Sequence, residues 1–306
     1  MEQIRTLDQL VASLQGAPPR RVAVAAGHDQ HTIEAAARAS ELGIAKMILV
    51  GQAPKIAQLC QEYSINPSLL EVIDEPDTQA AGLIAREMVT SGQAEVLMKG
   101  LLNTDQYMRL ILDKEKGLLP KGAILSHVTC LEIPEFQRLH NKLLFVTDVA
   151  IIPAPELSDK IKMLGYAVKV AQAFGVEVPR VAVVTPTEKV LPKIPSCLEA
   201  AALAKMGERG QLGRCIVDGP LAFDVAISPE ACQIKGLSSP VEGAADVLVF
   251  HCLEAANTFY KVCTLLAGAK LAGMVVGTSA PCILTSRADT EESKLYSIAC
   301  GCRMAG

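Results

Sequence analysis

Tryptophan is absent from this 306-residue chain, and phenylalanine and tyrosine number six and five. A core without many large rings has to be filled by Ala, Val, Ile and Leu. That is the profile of strands buried on both faces and covered by Ala-rich helices. A basic stripe or arginine-rich arm is also missing, and the formal net charge is −4, so no nucleic-acid partner is expected. No apolar run approaches eighteen residues, which gives no reason to expect a membrane partner or span. The opening MEQIRTLDQLVASLQG has no basic start followed by an apolar core, so it does not read as a signal peptide. The ten cysteines include no CxxC pair, and Cys300-Gly-Cys302 alone is two ligands short of a tetrahedral zinc site. Reduced, mostly buried thiols in a cytoplasmic protein are expected. GxSxG, GxxxxGKS/T, HExxH and GxGxxG are all missing, which removes the commonest hydrolase, P-loop, zincin and Rossmann readings.

What is present is a rhythm. Short β-rich runs alternate with helical stretches: RVAVAAG (21–27), a helix around 32–41, KMILVG (46–51), LLEVID (69–74), a helix near 78–91, and AEVLMKG (94–100). Strand–helix–strand alternation predicts a parallel sheet with right-handed crossovers. The rhythm breaks at 124–151, where ILSHVTCLEIP and NKLLFVTDVAI follow each other with about nine residues between. That spacing leaves no room for a crossover helix and reads as an antiparallel pair. Alternation then resumes with a helix in SDKIKMLGYAVKVAQAFG, strands RVAVVT, CIVDG and DVLVF, a helix near 254–268, and KLAGMVVG (270–277). The length suits two domains. The expectation is an α/β chain with residues 1–123 and 274–306 forming one domain and 124–273 the other, around a shared cleft.

In parallel sheets, ligand groups come from the loops after strand C-termini. Those loops here carry Gly27-His28-Asp29, Met98-Lys99-Gly100 with Asn103-Thr104, Asp218-Gly219-Pro220, His251-Cys252-Leu253-Glu254, and Ser286-Arg287. Most read as turns, and His28 and His31 read as satisfied surface groups. In MKGLLNTDQYMRLILDKEKG, Thr104 or Asn103 can cap a helix whose apolar side holds Tyr107, Met108, Ile111 and Leu112. Lys99 at the strand end, Arg109 on the helix and the helix N-terminus itself suit an anionic substrate. In TSRADTEESKLY, Asp289 and Glu292 have the spacing of a capping box. Ser286 and Arg287 are not needed by that cap. An Arg ahead of a helix can grip a phosphate, and a Ser can donate to a polarised oxygen.

Taken together, LMKGLLNTDQYMR, LSHV, LLFVTDVA, VDGPLAFDVAIS and PCILTSRADTEESKLYS resemble the phosphate acetyl/butyryltransferase family, closest to its butyryl branch. The likeness spans nearly the whole chain, in order. It implies two α/β/α lobes of the isocitrate/isopropylmalate dehydrogenase-like kind with mostly parallel sheets and an inter-lobe cleft, in a homodimer or larger assembly. It also implies exchange of acyl-CoA and inorganic phosphate with acyl phosphate and CoA, with no cofactor beyond CoA and no metal. On the family's pattern, Ser286, Arg287 and Arg109 serve the acyl-phosphate site. Lys99, Gly100, Thr104, Glu254 and Asn257 bind substrate, and Asp289 is the nearest Asp to act as base, a role for which the helix cap competes. Two departures bear on acyl preference or CoA binding. The butyryl branch's Asp-Ile-Glu-Ala-Gly-Asn run is Cys252-Leu253-Glu254-Ala255-Ala256-Asn257 here, and Ile152-Pro153 stand where an Asn commonly follows VTD. The alternatives are an acetyltransferase, a non-catalytic CoA-binding relative, or a metal- and nicotinamide-dependent dehydrogenase. The last wants clustered aspartates that the sequence does not offer.

Overall fold

Runs such as VAVA and MILVG have no polar face, so they are stable only where helices cover them on both sides. In the computed structural model, which describes residues 2–285 and 289–306, that is how they lie. The chain divides into two compact units, one of Leu7–Leu125 with Ala272–Gly306, the other of residues 2–6 with Ser126–Leu271.

The first stretch runs α1 (Leu7–Ala12), β1 (Arg20–Ala25), α2 (Gln30–Glu41), β2 (Ala45–Gly51), α3 (Ala53–Glu62), β3 (Leu70–Asp74), α4 (Thr78–Thr90), β4 (Val96–Lys99) and α5 (Thr104–Leu112). The second unit follows with β5 (Ser126–Glu132), α6 (Pro134–His140), β6 (Leu144–Thr147), α7 (Leu157–Ala173), β7 (Arg180–Val184), α8 (Pro195–Glu208) and β8 (Ile216–Leu221). Two short helices, α9 (Phe223–Ile227) and α10 (Pro229–Ile234), then lead to β9 (Val247–Val249) and α11 (Leu253–Leu266). The chain returns through β10 (Lys270–Val276), β11 (Cys282–Ile283) and α12 (Glu291–Met304).

Within the first unit the strand order is β3-β2-β1-β4-β11-β10, parallel except where β10 meets β11. Every residue of β4 is buried, as are the last four of β1 and last five of β10. Helix α12 packs on α2 and α1, and α4 on β1, β2 and α5. Within the second unit the order is β5-β6-β9-β7-β8. The expected antiparallel pair is there, with Thr129 opposite Val146 and Leu131 opposite Leu144. The edge-to-face rings of Phe145 and Phe174, 5.3 Å apart, pin α7 to the sheet. Lys142 ties together the starts of three strands: its ammonium donates to Asp246 Oδ1 and to Ala244 O, each at 2.7 Å, while Asp246 Oδ2 accepts the Arg180 N–H.

Three features depart from the sequence expectation. The connection between β5 and β6 does hold a helix, though too short for a crossover. Pro134 starts it with φ preset, and Asn141 ends it at φ 50°, a conformation Asn tolerates. Residues 2–6 lie with the second unit rather than the first. The Ile4 N–H donates to Phe174 O at 2.8 Å, and Arg5 Nη1 donates to Asn141 O at 2.9 Å. The Asp218-Gly219-Pro220 triplet is not a turn but lies inside β8, where a Cβ on Gly219 would stand 2.9 Å from Val183 Cβ.

Burial pushes the pKa of His28, His127, His140 and His251 below 6.5. These rings stay neutral in the folded chain while an unfolded chain takes up protons near pH 6.5. Their contribution is therefore full above pH 6.5 and is lost as the pH falls from there toward the folded values. The urea midpoint followed by circular dichroism should be lower at pH 5.5 than at pH 7.5; an equal or higher midpoint would contradict this.

Candidate functional site

Strand register decides which side chains meet. Ala25 pairs with Lys99 across β1 and β4, and Ile283 pairs with Met98 across β11 and β4. The C-terminal ends of three adjacent strands therefore arrive together, carrying Ala26–His28, Lys99–Thr104 and Thr285. Lys99 is 3% exposed, and its ammonium donates to Gly100 O at 3.2 Å and to Thr285 O at 3.4 Å. A buried ammonium is tolerated only when such partners replace water. These two partners are main-chain atoms on two different strand ends, so one side chain fastens both.

Gly100 is dictated by close approach. Its N–H donates to Ala25 O at 2.9 Å and the Leu101 N–H to Ala26 O at 2.8 Å, and a Cβ on Gly100 would fall 2.3 Å from Ala26 O. The chain then enters α5 through a capping box. Asn103 Oδ1 accepts the Gln106 N–H at 2.8 Å, and Gln106 Oε1 accepts the Asn103 N–H at 3.2 Å. Of the two expected caps, Asn103 does the capping, while Thr104 is the exposed first helical residue. Tyr107 is fully buried and donates its hydroxyl to Leu97 O at 3.0 Å, which docks α5 on β4. Arg109, two residues on, points away from that buried side and is exposed. Leu112, expected on the apolar side, is 45% exposed; Leu110 takes the buried position instead.

Ser286 and Arg287 lie outside the described residues. On either side of them the chain is defined. Thr285 is 3% exposed, and its Oγ1 has no hydrogen-bond partner among the described residues. Asp289 is half-buried and does not cap α12. The expected Asp289–Glu292 capping box is replaced by Thr290, whose extended backbone brings its Oγ1 3.2 Å from the Ser293 N–H it accepts. Glu292 lies 3.1 Å from the Tyr296 hydroxyl, which also reaches Asp8 Oδ1 at 2.6 Å. The cap thus makes no claim on Asp289. His28 is not the surface group expected. It is 8% exposed, its Nδ1 has no hydrogen-bond partner among the described residues, and its ring fills the space a Cβ on Gly51 would need. His31 is exposed and pairs with Glu34 at 3.3 Å.

Glu254 and Asn257 belong to the second unit, on the first turns of α11. Glu254 is exposed. Asn257 is half-buried and donates Nδ2 to Val149 O at 2.8 Å, so it holds the loop after β6. Cys252 occupies the N-cap of α11 with no side-chain cap bond, and its Sγ stands 3.5 Å from His251 Nε2. The pKa of His251 is pushed down by burial first and by Lys160 second. Several buried charges went unremarked in the sequence, Asp148 and then Lys160 among them. Asp148 in VTDVA accepts from Ser126 Oγ, from the His127 N–H and from the N–H groups of Ala150 and Ile151 at 2.8–3.1 Å. Lys160 on α7, 3% exposed, pairs with Glu199. A lysine inside the apolar run KIKMLGYAV was the available signal for the second. All ten cysteines are free, with eight buried and Cys215 and Cys252 partly exposed. Among the described residues no group of three His, Cys, Asp or Glu side chains could hold a metal ion, and no helix is long and apolar enough to cross a membrane.

The profile of the phosphate acetyl/butaryl transferase family matches residues 5–82 and 75–302. The chain belongs to this family. It is 42% identical over 303 residues to a phosphate butyryltransferase of Clostridium acetobutylicum, covering 99% of both chains. It is 41% identical over 293 residues to a phosphate acetyltransferase of Thermotoga maritima, covering 96% of this chain and 97% of the relative. Among solved structures, a branched-chain phosphotransacylase from Enterococcus faecalis superposes with a TM-score of 0.82 at 31% identity, covering 94% of this chain and 99% of the other. The chain is a phosphate acyltransferase acting on a short-chain acyl group, as the family resemblance implied, and CoA is a substrate of the family.

Gly100→Ala tests the local geometry. Its Cβ cannot fit without moving the Ala25–Ala26 main chain, so the urea midpoint should fall and acyl transfer should drop with it. An unchanged midpoint would show that the strand ends are not held this closely.

Proposed function

We propose that the enzyme prefers butyryl or a similar short acyl group, and that the strand ends around Lys99 bind the phosphate side of the reaction. The observation that carries this reading is the buried Lys99 ammonium. It bonds Thr285 O, just ahead of Ser286 in the sequence, and it precedes the capped N-terminus of α5 in the chain, a combination of cation and helix N–H groups suited to an anion. Support for a butyryl-type pocket comes from Glu254, Ala255 and Asn257, which keep the butyryl branch's residues at those places.

In the direction of acyl phosphate formation, a phosphate oxygen attacks the thioester carbonyl carbon. The C–O bond forms, the C–S bond breaks, and the CoA thiolate leaves and takes up a proton. Arg109 and Arg287 hold the phosphate and orient it, the Ser286 hydroxyl donates to the carbonyl oxygen as charge builds there, and Asp289 carries the thiol proton. In the reverse direction Asp289 removes that proton, which matters because a thiol of pKa about 8.5 is mostly protonated at neutral pH. Lys99, Gly100 and Thr104 shape the phosphate end. Glu254 and Asn257 contribute to substrate binding from α11, Asn257 by holding the β6 loop. The scheme needs no metal and no cofactor beyond CoA as substrate or product. Free, largely buried thiols fit a reducing cytoplasm, and the family resemblance favours a homodimer or larger assembly.

The test is thiol release from acetyl-, butyryl- and isobutyryl-CoA, with and without inorganic phosphate and without added metal. Release should require phosphate, be fastest with butyryl-CoA and fall at least ~100-fold in Arg109→Ala or Arg287→Ala, whose circular dichroism should stay unchanged. Phosphate-independent release, or normal rates in both variants, would overturn the assignment.

A further inference from the structure

The buried lysines of this fold have direct partners: Lys142 bonds Asp246 and Ala244, Lys160 bonds Glu199, and Lys99 bonds two carbonyls. Arg86 on α4 is the exception. Its side chain is 7% exposed, yet among the described residues Nε has no hydrogen-bond partner, and its charged neighbour there is Asp113 at 3.7 Å, beyond hydrogen-bond reach. Asp113 is otherwise engaged, its Oδ1 accepting the N–H groups of Glu115 and Lys116 at 3.0 and 2.7 Å. Those two bonds are the main reason its carboxyl pKa is lowered, with Arg86 a smaller cause. A guanidinium has five N–H donors in a fixed fork, and leaving the buried Nε–H of Arg86 unmatched is costly.

In front of Arg86 lies a cavity of about 550 Å³. Val89, Leu118 and Ala280 give it apolar wall. Exposed Glu87, Glu115 and Lys116 stand at its rim. It opens at the start of β4 and β11, because α4 runs into β4 and Ala280 comes just before β11. Lys99 and Thr285 are at the other ends of those strands, roughly 13 Å along a four-residue strand. The cavity is therefore separate from the anion site described above.

We propose that this cavity binds a short-chain monocarboxylate, its carboxylate on the Arg86 fork and its alkyl chain against Val89, Leu118 and Ala280. The planar fork matches a carboxylate in bidentate fashion. The two rim glutamates disfavour a dianion such as phosphate relative to a monoanion. Ser91 and Ser279 already donate to main-chain carbonyls, so Arg86 inside the cavity, with Lys116 at its rim, supplies the side-chain donors for the ligand's head group.

The test is equilibrium dialysis of radiolabelled butyrate against the full chain, with inorganic phosphate as competitor. Two variants are compared, Arg86→Met and Ser91→Trp; the second fills the mouth from an exposed position and leaves Arg86 in place. The wild type should bind one butyrate per chain saturably, phosphate should compete at least ~10-fold more weakly than unlabelled butyrate, and both variants should lose at least ~10-fold in affinity. If Arg86→Met fails to fold, Ser91→Trp decides. The proposal is overturned if no saturable site is found, if binding survives in Ser91→Trp, if Arg109→Ala rather than Ser91→Trp removes it, or if phosphate competes as well as butyrate.

Discussion

The buried ammonium of Lys99 is the contact that fastens two strand ends of the first unit to each other. A charge that deep is stable only while its carbonyl partners stay in place, so the dependence runs both ways. Gly100 O and Thr285 O must remain within reach of Nζ, and that requirement fixes the end of β4 against the turn after β11. The second unit uses the same device at the opposite ends of its strands. There Lys142 and Asp246 fasten the starts of β6, β9 and β7. One cation fastens strand C-terminal ends and the other fastens strand starts.

The two ends of the strands in the first unit carry different burdens. At the C-terminal ends the backbone is drawn close, as Gly100 shows, a buried cation fastens it, and the capped N-terminus of α5 follows. At the N-terminal ends helices α4 and α5 finish, and their terminal carbonyls favour positive charge. Arg86 and Lys116 stand there, near the C-terminal ends of both helices. An arginine that serves those carbonyls from within the fold has no need to be buried, and its burial beside a cavity is what sets it apart from an ordinary helix-end charge.

Much of this was legible in the order of the residues. Alternation of apolar runs with helical spacing is a direct consequence of parallel strands needing cover on both faces, and it located the strands to within a few residues, except the two-residue β11, which it missed. The short gap between LSHVTCLE and LLFVT could be bridged only by an antiparallel step. Lys99, Gly100, Asn103 and Thr104 were placed at a strand end because strand and cap signals met there. What escaped detection depended on contacts between distant residues. The capping box at Asp289–Glu292 has the right spacing, but Thr290 takes the cap because the backbone enters α12 one residue later. Asp218-Gly219-Pro220 looks like a turn, yet α8 and β7 press on Gly219 and keep the triplet in a strand. His28 looked like a surface group because nothing local reveals that Gly51 leaves room for its ring. Asp148 and Arg86 gave no periodic signal at all, since their surroundings come from segments far away in sequence.

The most direct measurement is the steady-state kinetics of Lys99→Met, which keeps the length of the side chain and removes the ammonium. If Lys99 fastens the two strand ends, the variant should keep its circular dichroism spectrum, and kcat/KM for phosphate-dependent acyl transfer should fall by about 100-fold, as expected when reacting groups lose their placement. A folded variant with wild-type kcat/KM would contradict the account and leave Lys99 as a buried charge with no part in the site.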